Sequence, residues 1–175
     1  GDLAVRFLLS TDSAEARNLA LELEELNQQR QHEEKQLLAE ALYLVEADSS
    51  FEQRSSLVLA SPGWHKGLLG LVASRLVERF NKPTILLTQV DQHWEGSGRS
   101  FGTFDLYQAL YSCRDHLERF GGHKQAAGLS LREELLTEFS TAFESIVEEQ
   151  IDPEDIRRTM QVDDMVHLDE ITPEL

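Results

Sequence analysis

The first long pattern of apolar and polar residues in the chain is helical. Residues 13–47 contain no Gly or Pro, and Leu or other apolar residues recur three or four positions apart towards both ends of this stretch. The pattern predicts one helix of about 50 Å, since an α-helix rises 1.5 Å per residue. Residues 27–36 are polar on every side, which is typical of a helix that crosses solvent between two packed bodies.

After this helix, short apolar runs alternate with amphipathic stretches. Strands are predicted at 55–61, 84–88 and 126–131, with a further strand at 89–95 that ends in the glycine-rich segment 96–100. Helices are predicted at 65–80, at 106–119 with Gly121 and Gly122 as the stop, and from Leu135 to about Val147. Cys113 falls on the apolar face of its helix and is expected in the core. The fold class is α/β, with a mixed, partly parallel sheet flanked by helices and preceded by one long connector helix.

Charge is distributed unevenly along the chain. The 175 residues include 16 Lys or Arg and 32 Asp or Glu, a net charge of −16 that argues against binding nucleic acid through overall charge. Residues 62–132, however, hold nine Lys or Arg against six Asp or Glu, and four of the six His. This stretch could bind an anion. Alternatively, its composition is ordinary and the flanking helices are acid-rich for solubility.

The remaining composition narrows the class of protein. One Cys excludes a disulfide framework and a Cys-rich zinc site, and no apolar run is long enough to span a bilayer. A cytoplasmic protein is therefore expected. Walker A, Rossmann, nucleophile-elbow and paired-His zinc motifs are missing from the sequence, and its carboxylates fall in helical runs that suit solvated faces rather than a metal cluster.

Three glycine-containing junctions are candidates for chemistry, because strand-to-helix turns present free backbone N–H groups to anions. In residues 61–67, Trp64 could stack on a base and Lys66 could meet a phosphate beside His65; alternatively, Trp64 is a hydrophobic lid on a tight turn. The second junction is expected to curl its backbone around an oxyanion, or else to be a simple linker; it comprises Gly96, Ser97, Gly98, Arg99 and Ser100.

The third junction presents an imidazole and an ammonium group together after a glycine pair. Its residues are Gly121, Gly122, His123 and Lys124. His123 could donate to a phosphate or to a leaving group, whereas a structural, hydrogen-bonded His is the alternative.

Taken in order, these segments resemble the RecJ family of single-strand-specific DNA exonucleases in the DHH phosphoesterase superfamily. The resemblance rests on the runs GWHKGLLGLVASRL (63–76), GSGRS (96–100), FDL (104–106), RFGGH (119–123) and AAGL (126–129), and on LLSTD (8–12) and EELNQQRQ (24–31). It covers the family's DHH-associated domain and the long helix before it.

The resemblance implies that catalysis and metal binding belong to a domain other than the one in this chain. The family's Asp-His-His motif is not in the sequence, so Mn²⁺ or Mg²⁺ would be held by a separate DHH catalytic lobe, with no metal or cofactor bound here. It implies that residues 1–48 are the end of that lobe and the connector helix, 49–150 the nucleic-acid-binding domain, and 151–175 the start of a truncated OB-type domain. Partners would be single-stranded DNA and those two domains.

By resemblance, the complete enzyme degrades single-stranded DNA from its 5′ end in repair and recombination, and this fragment alone is inactive. Ser97, Arg99 and Ser100 would grip a phosphate, and His123 would approach the cleft in an assisting catalytic role. Lys66, Lys124 and Trp64 are weaker candidates for DNA contacts. The alternatives are a lobe of a DHH-family oligonucleotide or cyclic-dinucleotide phosphodiesterase, and an acidic module that binds a basic protein.

Overall fold

The computed structural model of the protein describes residues 2–152, which form a five-stranded sheet with helices on both faces. The helices are α1 (Asp2–Leu9), α2 (Ser13–Ala47), α3 (Leu69–Phe80), α4 (Leu106–Ser112) and α5 (Leu136–Gln150). The strands are β1 (Leu57–Ala60), β2 (Thr84–Val90), β3 (His93–Arg99), β4 (Arg119–Gly122) and β5 (Ala126–Arg132). Most of the segment predicted as the start of another domain, 153–175, lies outside the described residues.

The sheet has the order β1-β2-β3-β5-β4, and only β1 and β2 are parallel. The other three pairings are antiparallel, so the predicted mixed α/β fold is confirmed. The crossover between β1 and β2 runs through α3. Within residues 2–152, no helix is both long and apolar enough to cross a membrane.

The predicted connector helix is confirmed as α2, 35 residues long. Asp12 caps its start by accepting a hydrogen bond from the Ala14 backbone N–H at 3.0 Å, which satisfies one of the donors left free at a helix N-terminus. Further along, buried Glu34 accepts from Arg75 of α3 at 2.7 Å and from Arg30 at 3.0 Å. The carboxylate therefore fixes the second half of α2 against α3.

Two apolar clusters lie on opposite faces of the sheet. On one face, α2 and α3 pack over β1 and β2 around Leu69, Leu76 and Leu86. On the other, α4 and α5 pack against residues of β2, β3 and β5 around Leu110, Phe139 and Phe143. Cys113 is 1% exposed in this second cluster, which confirms its predicted core position, and burial raises the pKa of its thiol to about 11.

Two elements differ from their predicted form. Helix α4 ends at Ser112 rather than near residue 119, and Gly121 and Gly122 lie inside the edge strand β4 instead of stopping that helix. Residues 96–99, expected as a loop, continue β3 and are paired on both sides. Glycine carries no side chain to report strand periodicity, so the sequence pattern alone favoured turns at both places.

Candidate functional site

The surface of β3, β5 and β4 that faces the same way as α3 is left uncovered beyond that helix. We call it the open sheet face. Because directly paired residues in a sheet point to the same side, its rows follow from the register. The rows are His93–Arg132, then Glu95–Ser130–Arg119, then Ser97–Gly128–Gly121, and then Arg99–Ala126.

The floor of the open sheet face is made of small residues. A Cβ atom built on Gly121 would meet nothing within 4 Å, and one on Gly128 would meet only the Gly96 carbonyl oxygen, at 3.8 Å. Gly121 and Gly128 are both exposed. The row through Ser97 therefore presents bare backbone, and a ligand can approach the sheet closely there.

Arg99 carries the main positive charge on this face. Its Nη1 donates to the Ser97 hydroxyl at 2.9 Å and to the Gly98 carbonyl at 2.7 Å. Burial lowers the pKa of the guanidinium, and among residues 2–152 no carboxylate forms an ion pair with it. A partly desolvated cation without a carboxylate partner is poised to take an anion.

Helix α3 makes room for this guanidinium. A Cβ atom on Gly70 would collide with Nη2 of Arg99 and would lie 3.1 Å from the Ser97 hydroxyl. Gly70 lies in the first turn of α3, so the positive end of that helix adjoins Arg99. Gly70 belongs to the site although sequence reasoning missed it; its position within the GWHKGLLG run was the available signal.

The hairpin between β4 and β5 places His123 in the same row as Arg99, with Ala126 between them. The backbone N–H of His123 donates to the Ala126 carbonyl at 2.8 Å, which continues the ladder by one residue beyond Gly122. Ala126 is in turn the register partner of Arg99. The order across the sheet is therefore Arg99, Ala126 and His123. At the usual spacing between strands, the Cα atoms of Arg99 and His123 are about 10 Å apart.

The hairpin tip is held in place by Ser100. Its single hydroxyl hydrogen is shared between the carbonyl oxygens of Phe104 and Lys124, 3.2 and 3.0 Å away, and its N–H donates to the Gln125 carbonyl. Ser100 is 9% exposed. The hydroxyl thus positions the hairpin in this structure, and the predicted contact of Ser100 with a phosphate stays a prediction. Lys124 and His123 are exposed at the tip.

The glycines of β3 have a different role from the predicted one. Gly96 and Gly98 alternate with Ser97 and Arg99, so they face the core under α4 and α5. A Cβ atom on Gly96 would lie 2.5 Å from the Leu86 carbonyl oxygen and from Leu87 Cδ2, and one on Gly98 would lie 3.0 Å from Leu106. These glycines allow close packing, and residues 96–99 are paired on both sides in the sheet, so they do not form the predicted curled loop. A contact of these glycines with a phosphate stays a prediction.

The first predicted junction is only partly at the open sheet face. Trp64 is 5% exposed, packs with α2 and α3, and donates from Nε1 to Glu40 at 2.9 Å, so it cannot stack on a base without leaving the core. Trp64 therefore takes the second of the two roles that the sequence allowed, that of a hydrophobic lid. Exposed His65 caps the following turn, because its Nδ1 accepts from the Gly67 N–H at 3.2 Å.

Lys66 does reach the open sheet face, where it pairs with Glu95. Glu95 is half-buried, and the hydrogen bond from Lys66 is the main cause that lowers the pKa of its carboxyl group; the charges of Lys66, Arg119 and His93 add to the effect. The lysine is therefore neutralised locally. Sequence reasoning did not single out Glu95, Arg119 or Ser130, although alternation along the strands would have placed them beside Ser97 and Arg99.

The described side chains do not form a metal centre. Within residues 2–152, no three His, Cys, Asp or Glu side chains are grouped so that they could hold a metal ion. The feature of the described site that suits a ligand is Arg99, whose partly buried guanidinium is the kind of group that binds anions.

The chain is similar in sequence to a family of known proteins over most of its length. Residues 53–149 match the family model of the DHHA1 domain. The single-stranded-DNA-specific exonuclease RecJ of Bacillus subtilis is 37% identical over 175 residues, which is 99% of this chain and 22% of that protein. The corresponding protein of Escherichia coli is 39% identical over 165 residues, 86% of this chain and 27% of that protein.

Solved structures give the same result. RecJ from Thermus thermophilus in complex with Mg²⁺ superposes with a TM-score of 0.77 at 37% identity, covering 87% of this chain and 23% of that chain. A structure of the same protein with Mn²⁺ is equally similar. The predicted resemblance to the RecJ family is thereby confirmed, and the chain spans about a quarter of the length of these relatives.

Proposed function

Because the chain belongs to the DHHA1 domain family, we propose that its open sheet face binds the phosphate backbone of single-stranded DNA. The observation that carries the proposal is Arg99, a partly desolvated guanidinium with no carboxylate partner among residues 2–152. Nη1 is held by Ser97 and Gly98, so Nε and Nη2 remain to donate to phosphate oxygens. The terminal 5′ phosphate is the group that we assign to this position.

Three features around Arg99 support the assignment: the start of α3, the hairpin tip and the glycine floor. The first turn of α3 adds the positive end of a helix dipole next to Arg99. His123 and Lys124 are exposed on the hairpin on the other side of Ala126. Gly121 and Gly128 let a sugar-phosphate chain approach the backbone. In this arrangement, His123 faces the DNA near its 5′ end. It assists by donating a hydrogen bond to a phosphate oxygen or a leaving group.

Within a complete enzyme of the RecJ type, this chain would form one wall of a cleft. Hydrolysis of the phosphodiester would be carried out by a DHH lobe with Mn²⁺ or Mg²⁺ opposite that wall, in 5′ to 3′ degradation during repair and recombination. The chain's own residues would hold the strand and orient its end. The bare floor is limited to the row through Gly121 and Gly128, and the chain has a net charge of −16. Both features favour a single DNA strand over a broad duplex.

The proposal is tested by comparing ligands that differ in one feature. An NMR titration of the ¹⁵N-labelled chain with a 5′-phosphorylated single strand is expected to shift the amide signals of residues 97–100 and 121–128. The same strand with a 5′ hydroxyl should bind several-fold more weakly, and a blunt duplex more weakly still. Equal binding of the three ligands, or shifts confined to the acidic helix α2, would contradict the proposal.

A second prediction concerns Glu95, which neutralises Lys66 on the open sheet face. Glu95→Gln removes a negative charge and frees the lysine, so the affinity for the phosphorylated strand should rise roughly two- to fivefold. The slope of log K against log salt should steepen by about 0.7, as expected for one more phosphate contact with a single strand. The matched control is Glu138→Gln, an exposed carboxylate on α5, which should change neither quantity. An unchanged slope for Glu95→Gln would contradict a contact between Lys66 and DNA.

A further inference from the structure

The open sheet face has a second recess at the end opposite Arg99. A groove of about 670 Å³ is lined by residues 90–93, Glu95, Glu118, Arg119 and Ser130. Its size lies within the range of pockets that accept one small organic unit. It lies on the same face as Arg99, because Glu95 and Arg99 are separated by an even number of residues on β3.

Two polar atoms in this groove lack a partner. The Ser130 hydroxyl, in a residue only 5% exposed, and Nδ1 of His93 are both covered from solvent and make no hydrogen bond within residues 2–152. The other ring nitrogen of His93 lies 3.6 Å from Glu118. Leaving buried polar atoms unpaired is unfavourable, so a ligand that displaces the groups covering them and provides hydrogen bonds to them would be stabilised.

The charges around the groove indicate whether it suits the phosphate or the base of a nucleotide. Glu95 and Glu118 border it and offset Lys66 and Arg119, so the groove has no excess positive charge to attract a phosphate. The unpartnered hydroxyl and imidazole suit a neutral ligand with both donors and acceptors, which is what the edge of a nucleobase presents. Arg119 is exposed and makes no hydrogen bond or ion pair with any described residue, so its planar guanidinium can stack on such a ring.

We propose that this groove is a subsite for one nucleobase of the strand whose phosphate is held at Arg99. The inference rests on the proposed function and adds a base contact to it. Glu95 lies four residues from Arg99, a distance of about 13 Å along β3, which corresponds to about four stacked nucleotide steps and to fewer in an extended strand. The base in the groove is therefore that of the third to fifth nucleotide from the 5′ end.

The test compares two 5′-phosphorylated pentanucleotides, one with all its bases and one abasic at positions three to five, by NMR titration of the chain. The intact strand is expected to shift the amide signals of His93, Arg119 and Ser130 in addition to those near Arg99. The abasic strand should shift only those near Arg99 and bind about fivefold more weakly. Ser130→Ala should weaken the intact strand about threefold and leave the abasic strand unchanged.

The outcomes separate the two proposals. Shifts near Arg99 that are the same for both pentanucleotides, with no shift at His93 or Ser130, would overturn the base subsite and leave the phosphate site intact. Equal effects of Ser130→Ala on both strands would also overturn it. No shift anywhere on the open sheet face, with either strand, would overturn the proposed function together with the subsite. Arg99→Ala is the reference variant, since it should weaken both strands by the same factor.

Discussion

Replacing Arg99 with alanine should reduce the affinity of the chain for a 5′-phosphorylated single strand by roughly 10- to 100-fold, the range for losing charge-assisted hydrogen bonds. The structural reason is that hydrogen bonds from Nη1 to Ser97 and Gly98 orient the Arg99 guanidinium on the open sheet face. Among residues 2–152, no carboxylate forms an ion pair with it. The preference for a 5′ phosphate over a 5′ hydroxyl should disappear at the same time. Fluorescence anisotropy or the NMR titration measures both effects.

The fold should survive this substitution. The guanidinium is partly desolvated and has no ion-pair partner to lose within the described part of the chain, and the Ser97 hydroxyl that it contacts is half-buried and can reach water. Arg99→Lys should be intermediate, because an ammonium keeps the charge but lacks the planar fork that binds a phosphate with two parallel hydrogen bonds.

Arg114→Ala is the matched control for net charge. Arg114 is exposed, its guanidinium lies 4.8 Å from the ring centre of Tyr111, and it is outside the open sheet face. Its loss changes the total charge as much as the loss of Arg99. If both variants weaken binding equally, the effect comes from overall charge and the Arg99 site is refuted.

Gly121→Val should block the floor of the open sheet face without harming the fold. The new Cβ atom meets nothing within 4 Å, and the added methyl groups stand in the row with Ser97 and Gly128, where the sugar-phosphate chain is proposed to lie. Affinity for the single strand should fall at least tenfold, on the order of the loss of one strong contact. Stability should stay the same or rise by about 0.5 kcal/mol, because valine suits a strand better than glycine does.

A glycine on the opposite side of the sheet provides the comparison. In Gly96→Val, the added atoms run into the Leu86 carbonyl and the Leu87 side chain, both 2.5 Å from the new Cβ atom. Overpacking of this kind costs about 1–3 kcal/mol or more, so this variant should melt at a clearly lower temperature. Thermal denaturation and strand titration of the two variants should thus give opposite results. If the Gly121→Val variant binds DNA as well as the unmodified chain does, the DNA does not lie over Gly121 and the proposed position is wrong.

The amino-acid sequence by itself determined most of the regular elements and singled out the residues of the candidate anion site. The spacing of apolar residues predicted α2, the last strand and the last helix, because that spacing reflects which face of each element is buried. The start of α2 is also fixed locally, since Asp12 caps it through the nearby backbone. The run of residues 96–100 also singled out Arg99 and Ser97, because a guanidinium beside a hydroxyl suits a phosphate wherever the backbone carries them.

Only the tertiary structure decided which side of each strand is covered. Whether Gly96 or Ser97 faces the core depends on where α4 and α5 pack, and the exposure of Gly121 depends on how far α3 extends across the sheet. The same non-local packing buries Trp64 against α2, joins Lys66 to Glu95 and commits Ser100 to the hairpin. These contacts join residues that are distant along the chain, and a local pattern carries no information about which of them will form.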